Sequence, residues 1–85
     1  MEIIYSDEVK RDIEYWKKSG NKIIQYKIQQ LVDAIEESPF EGIGKPEPLK
    51  FELKGYWSRR INQEHRLVYK VENKIVYIAQ CRYHY

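Results

Sequence analysis

The sequence predicts an α+β fold: an N-terminal strand, a two-helix hairpin, and then an antiparallel sheet packed on the helices. Three observations predict it. Apolar residues recur every three or four positions from Val9 to Ile35, which is the period of a helix face. All three prolines and two of the four glycines fall between positions 39 and 48, a density that neither a helix nor a central strand survives. Beyond that segment the apolar period drops to two, the period of a half-buried strand.

Glu2-Ile3-Ile4-Tyr5 is a short apolar run suited to the first strand. Ser6 follows, with Asp7 and Glu8 just after it. A serine cap with carboxylates in the first turn starts a helix, because both complement its exposed N–H groups. Val9, Ile13 and Trp16 mark that helix's apolar face, and Ser19-Gly20-Asn21 ends it. In a second helix Ile24, Ile28, Leu31 and Ile35 form the stripe, widened by Ile23 and Val32. The short connection makes the pair an antiparallel hairpin, which Ser38-Pro39 stops.

After the breaker segment, Leu49, Phe51 and Leu53 alternate with Lys50, Glu52 and Lys54 as in a strand. Gly55 offers a turn. Residues 57–62 read as a strand, 62–64 as a turn, 66–71 as a strand and 72–74 as a hairpin turn. Residues 75–81 form a strong, mostly apolar strand suited to the centre of the sheet. Such short intervals imply an antiparallel meander. The helices must cover one face of it to bury their stripes, which leaves the other face available.

Eighty-five residues make one domain spanning 1–85. The chain is 42% apolar and 33% charged, which excludes a disordered composition. No apolar run approaches the ~18 residues of a membrane helix, and no secretory signal is expected at the N-terminus. Cys81 is the single cysteine, so internal disulfides are excluded; that usage fits a reducing cytosol and a cytoplasmic protein. No metal-ligand cluster or nucleotide-binding motif is visible, and no cofactor is expected.

The net charge of +2 conceals an asymmetry. Residues 1–40 hold six basic and eight acidic side chains, a net of −2; residues 41–85 hold nine and five, a net of +4. Four of the five arginines and five of the eight tyrosines lie in the second half. Guanidinium groups match phosphates and aromatic rings stack on bases, so this half suits RNA. The plainer alternative is a strand-rich half with packed tyrosines and solvated arginines.

Three constellations could carry chemistry. In Pro46-Glu47-Pro48 a carboxylate is fenced by two residues that restrict its backbone, which either preorganises an acid–base group or makes a rigid connector. Cys81-Arg82-Tyr83-His84-Tyr85 puts a proton-transfer side chain between tyrosines at the end of the strongest strand; the alternative is a tail that frays or finishes the core. In residues 57–66, Arg59 and Arg60 face opposite sides of a strand, and Arg66 lies beyond the turn beside it. These arginines either converge on a phosphate or pair with Glu52, Glu64 or the helix acids. An acid, a histidine and arginines are the inventory for cleaving RNA. The 2′-hydroxyl needs a base, the leaving 5′-oxygen needs an acid, and the phosphorane needs cations.

The blocks Pro39-Phe40-Glu41-Gly42, Gly44-Lys45-Pro46-Glu47-Pro48-Leu49-Lys50, Trp57-Ser58-Arg59-Arg60-Ile61, Glu64-His65-Arg66-Leu67-Val68-Tyr69 and Cys81-Arg82-Tyr83-His84-Tyr85 resemble the YoeB (Txe) toxins of the RelE/ParE superfamily. The resemblance covers the whole chain. It implies a ribosome-dependent mRNA interferase that cuts message in the A site without a metal. By motif position, Glu47 would be the general base, His84 the general acid, and Arg66 the stabiliser of the transition state. Tyr85 would position the substrate, and Lys50 and Arg60 would contact phosphate. The implied partners are a YefM-like antitoxin that covers the C-terminal residues, the ribosome with its mRNA, and a second copy in a homodimer. Arg59, His65 and Cys81 are assigned structural roles, and Tyr69 and Tyr77 to the core or a sheet face. Two other readings stay open: a ParE-like gyrase poison, and a noncatalytic RNA- or partner-binding module.

Overall fold

A computed structural model describes residues 1–83 of the chain, so His84 and Tyr85 lie outside the described residues. Strand β1 (Glu2–Tyr5) leads into helices α1 (Asp7–Ser19) and α2 (Lys22–Glu37). The Ser6 cap and the stop at Gly20 are those the sequence predicts, and Asn21 adds an N-cap to α2. Ser6 Oγ accepts from the Val9 amide at 3.0 Å, Asn21 Oδ1 accepts from the Ile24 amide at 3.1 Å, and Gly20 takes the left-handed conformation that ends α1. Four strands follow: β2 (Glu47–Pro48), β3 (Trp57–Arg60), β4 (Arg66–Glu72) and β5 (Ile75–Gln80). The β4–β5 hairpin closes on Asn73 and Lys74, both at positive φ as a two-residue primed turn requires.

The sheet order is β1-β5-β4-β3-β2. From β2 to β5 every pairing is antiparallel, as expected. The sequence leaves the partner of the first strand open: β1 lies parallel to β5, from Glu2 opposite Ile75 to Tyr5 opposite Ile78. Ser6 secures this edge twice, its amide donating to Ile78 and its hydroxyl to Ala79 at 2.8 Å.

One correction concerns residues 49–53. The Leu-Lys-Phe-Glu-Leu alternation predicts a strand, but pairing stops at Pro48 and Phe51–Leu53 form a single 3-10 turn. Pro46 and Pro48 have no amide to donate, which confines β2 to a short edge. Phe51 is 87% exposed at φ 58°, whereas Leu49 is buried. Ile23 is likewise 83% exposed and does not widen the α2 stripe, while Val32 does.

The helices bury Val9, Trp16, Ile28, Leu31 and Ile35 against Leu67, Tyr69, Val76, Ile78 and Cys81 on the sheet. Burying each such side chain contributes roughly 1.5–3 kcal/mol. Leu49 and Val68 are buried outside this core, with Ser58, on the face turned away from the helices. That face is therefore partly sealed rather than bare.

Burial, with the Asp12 carboxylate adding to it, pushes the Cys81 thiol up to about 12. Its amide donates to Asp12 Oδ2 at 3.0 Å. Because its folded pKa is raised above the unfolded value, the stability that Cys81 contributes is present below pH ~9 and is lost as pH rises toward 12. A Cys81→Ala variant is expected to lose less stability than the parent between pH 9 and 11. Urea titrations across that range measure it; equal slopes for both proteins would refute it.

Candidate functional site

Sheet register decides which side chains share a face. Residues directly opposite one another project to the same side, and neighbours along a strand project to opposite sides. Arg59 pairs with Leu67 and faces the helices; Arg60 pairs with Arg66 and faces away. Glu47 pairs with Ser58, one alternation from Arg60, so it also faces away. Glu47, Arg60 and Arg66 thus lie on one sheet face. With strands about 4.8 Å apart and about 3.4 Å per residue, the Glu47 and Arg66 backbones are on the order of 12 Å apart, within reach of one phosphodiester for long side chains.

The Arg60–Arg66 pair is electrostatically unfavourable by itself, since like charges directly opposite repel. Arg66 relieves part of this by donating from Nη1 to the carbonyls of Asn62 at 2.7 Å, His65 at 3.1 Å and Gln63 at 3.3 Å. These contacts fix the guanidinium, and among the described residues its other nitrogens have no hydrogen-bond partner. The Arg60 side chain and the Glu47 carboxylate are exposed, and neither has an ion-pair partner among the described residues. Glu47 and Lys50 line a shared concavity of about 400 Å³ with Leu49 and Phe51. Arg60 lines a separate one with Gly44, Lys45 and Asn62. Lys50 therefore groups with Glu47 and not with the arginines.

The placement of Glu47 depends on Arg59, which the sequence offered only as a structural or surface-paired residue. Arg59 is fully buried and makes no ion pair among the described residues. Its guanidinium instead donates to the carbonyls of Ser38 at 2.6 Å, Glu41 at 2.9 Å and Ile43 at 3.0 Å, and to Tyr69 Oη at 3.2 Å. Tyr69 in turn donates to Pro39 at 2.6 Å. Burial pushes the Tyr69 phenol up and Arg59 opposes that shift; the phenol remains a donor at neutral pH. Together the two side chains hold four carbonyls of the loop that delivers Glu47. Gly44 completes the docking: its carbonyl accepts from the Arg60 amide at 2.6 Å, and a Cβ there would meet Leu31 Cδ2 at 2.7 Å.

The tail after β5 is anchored by α1 and by the turn before β4. Trp16 Nε1 donates to the Cys81 carbonyl at 3.1 Å. The Arg82 guanidinium lies 3.4 Å from the Tyr15 ring centroid and 4.5 Å from that of Tyr83. The Tyr83 amide donates to His65 Nδ1 at 2.7 Å, and the Tyr83 carbonyl accepts from the Arg66 amide at 3.0 Å. His65 must then carry its proton on Nε2, 3.5 Å from the Glu64 carboxylate. His65 is thus the structural residue the sequence suggests. Residue 83 is tied to the backbone of Arg66; the candidates His84 and Tyr85, which follow it, lie outside the described residues. Asp12 and Tyr15 are tail anchors that the sequence reading does not include. Their signal was spacing: Asp12 stands one helical turn before Trp16, on the face that meets the sheet.

Comparison with known proteins agrees with this architecture. Residues 5–85 match the family described as YoeB-like toxin of bacterial type II toxin-antitoxin system. The chain is 51% identical over its full length to Toxin YoeB of Escherichia coli K12, which it also covers completely. A YoeB dimer from Staphylococcus aureus superposes with a TM-score of 0.90 at 45% identity, and a YoeB–YefM complex from the same organism with 0.90 at 46%. Each alignment covers 100% of this chain and 98% of the other. By sequence, by fold and by these alignments, the chain belongs to the YoeB-like toxins of bacterial type II toxin–antitoxin systems.

Proposed function

We propose that this toxin is a ribosome-dependent mRNA endonuclease that uses the 2′-hydroxyl as nucleophile. The observation that carries the reading is the opposed Arg60–Arg66 pair, on the same sheet face as a Glu47 carboxylate that has no ion-pair partner among the described residues. Two apposed cations without an acid between them form a site that a phosphate completes. Glu47 takes the 2′-hydroxyl proton, and the 2′-oxygen attacks the adjacent phosphorus. Arg66, with Arg60 opposite it, holds the charge that builds on the phosphorane oxygens, and Lys50, on the Glu47 side, contacts a neighbouring phosphate. The P–O5′ bond breaks as His84 gives its proton to the 5′-oxygen, leaving a 2′,3′-cyclic phosphate and a 5′-hydroxyl. Tyr85 positions the substrate. The Tyr83–Arg66 backbone bond supports this assignment, because it brings the chain to the arginine immediately before His84.

The related YoeB–YefM complex and YoeB dimer support two partners: a YefM-like antitoxin and a second copy of this chain. Among the described residues no helix is long and apolar enough to cross a membrane, and the proposed site of action is the cytoplasm. The test is primer extension on a defined message in a translating extract. Cuts within codons that appear only when ribosomes are present are the expected result. Intact message together with DNA breaks on induction would favour a gyrase poison and sink the nuclease reading.

A further inference from the structure

The face that holds Glu47, Arg60 and Arg66 carries a group for which the cleavage chemistry has no use. Opposed residues on this face form transverse rows about 6.8 Å apart, two strand residues per step. Arg60 and Arg66 make one row; Glu47, Ser58 and Val68 make the next. The third contains Lys70, directly opposite Tyr77 on β5, with Tyr56 on its other side by the same register. Lys70 Nζ stands 5.3 Å from the Tyr56 ring centroid and 5.3 Å from that of Tyr77.

All three side chains are half-buried, so their stems are fixed and their ends reach solvent. The ammonium approaches Glu72 at 3.8 Å, too far for a hydrogen bond, and donates to no other group among the described residues. It is a positioned cation with its donors open. Glu72, Ile75 and Glu2 make the following row, whose acids end the basic track.

We propose that Tyr56, Lys70 and Tyr77 form a subsite for single-stranded RNA, taking the nucleotide next to the linkage held at Glu47 and the arginines. The proposal rests on the nuclease reading for its location. A phosphate accepts the Lys70 donors and draws the ammonium out from between the rings. The ring faces it leaves then stack on a base, the use to which aromatics on exposed sheet faces lend themselves. One row step is comparable to one nucleotide of an extended strand, so the third row meets the neighbour of the nucleotide being cut.

The test is an anisotropy titration of the protein onto ribosomes carrying a defined message, in a Glu47→Gln background that keeps the message whole. Adding Lys70→Ala or Tyr77→Leu is expected to weaken binding about tenfold each. Lys70→Ala should also lower the slope of log affinity against log salt by about one. Lys18→Ala, an equal charge change on α1, is expected to move neither. Urea midpoints confirm that each variant folds. Affinities within twofold of the background in folded variants would overturn the subsite. So would equal RNA affinity with weakened binding of an antitoxin segment, which assigns the row to that protein. A message truncated beside the cut should abolish the difference between variant and background; a persisting difference assigns the nucleotide to ribosomal RNA and overturns the placement. If Glu47→Gln still cuts, the acid–base assignment fails while the binding comparison continues to read the subsite.

Discussion

Arg59→Met is expected to cost about 3–5 kcal/mol, because four acceptors around the buried guanidinium lose a charged donor at about 1–3 kcal/mol each and recover part of that from water. For a chain of this length that is a large share of a total stability of roughly 4–13 kcal/mol. The substitution keeps the apolar stem but strands the Ser38, Glu41 and Ile43 carbonyls and the acceptor side of Tyr69. Those carbonyls recover their hydrogen bonds only by lifting residues 38–44 into water, which takes Gly44 off β3 and unsettles the approach to Glu47. Arg59→Lys retains the charge with fewer donors and should fall between the parent and Arg59→Met. Urea midpoints measure the ordering. A methionine variant within 1 kcal/mol of the parent would show that the loop is held by something other than this guanidinium.

The same residue shows where sequence reading stops. Alternation along β3 places Arg59 opposite in sense to Arg60, and the structure agrees. A sequence shows only acids as partners for Arg59. Its partners are backbone carbonyls sixteen to twenty-one residues away, which any sequence would supply. The helices, by contrast, were readable to the residue at several ends, since Ser6, Gly20, Asn21 and Pro39 act on their immediate neighbours. Phe51 misled because a 3-10 turn can carry an alternating string as readily as a strand does when proline denies it a ladder. For the candidate site, the motif blocks supplied the residues, and the register supplied their common face. That Arg66 lies beside the Arg60 strand follows from the short turn between them, whereas the coincidence of Glu47 with Ser58 depends on a pairing across the 3-10 turn that no local pattern encodes.

The second large effect concerns activity. Glu47→Gln is expected to lower single-turnover cleavage of ribosome-bound message by 10²–10⁴-fold, the usual contribution of a positioned general base. Because the carboxylate is exposed and unpaired among the described residues, its thermal midpoint should stay within the small range of surface substitutions. Arg66→Ala should cost a similar 10²–10³-fold through lost charge stabilisation. Arg60→Ala separates the two roles of this pair: it removes a cross-strand repulsion, so the folded state should become slightly more stable while cleavage weakens. The double substitution at Glu47 and Arg66 should lose far less than the product of the single losses, because both serve one step. Full activity in a folded Glu47→Gln protein would remove the carboxylate from the mechanism.

The parallel pairing of β1 with β5 also sets an order of assembly. The helical hairpin can form early from its local contacts, but the strand that precedes it finds its partner more than seventy residues later. Contacts so distant in sequence close slowly and late. The N-terminal edge and the α1 anchors of the tail therefore wait for β5, while the β3–β4 hairpin that carries the arginine row can close without it.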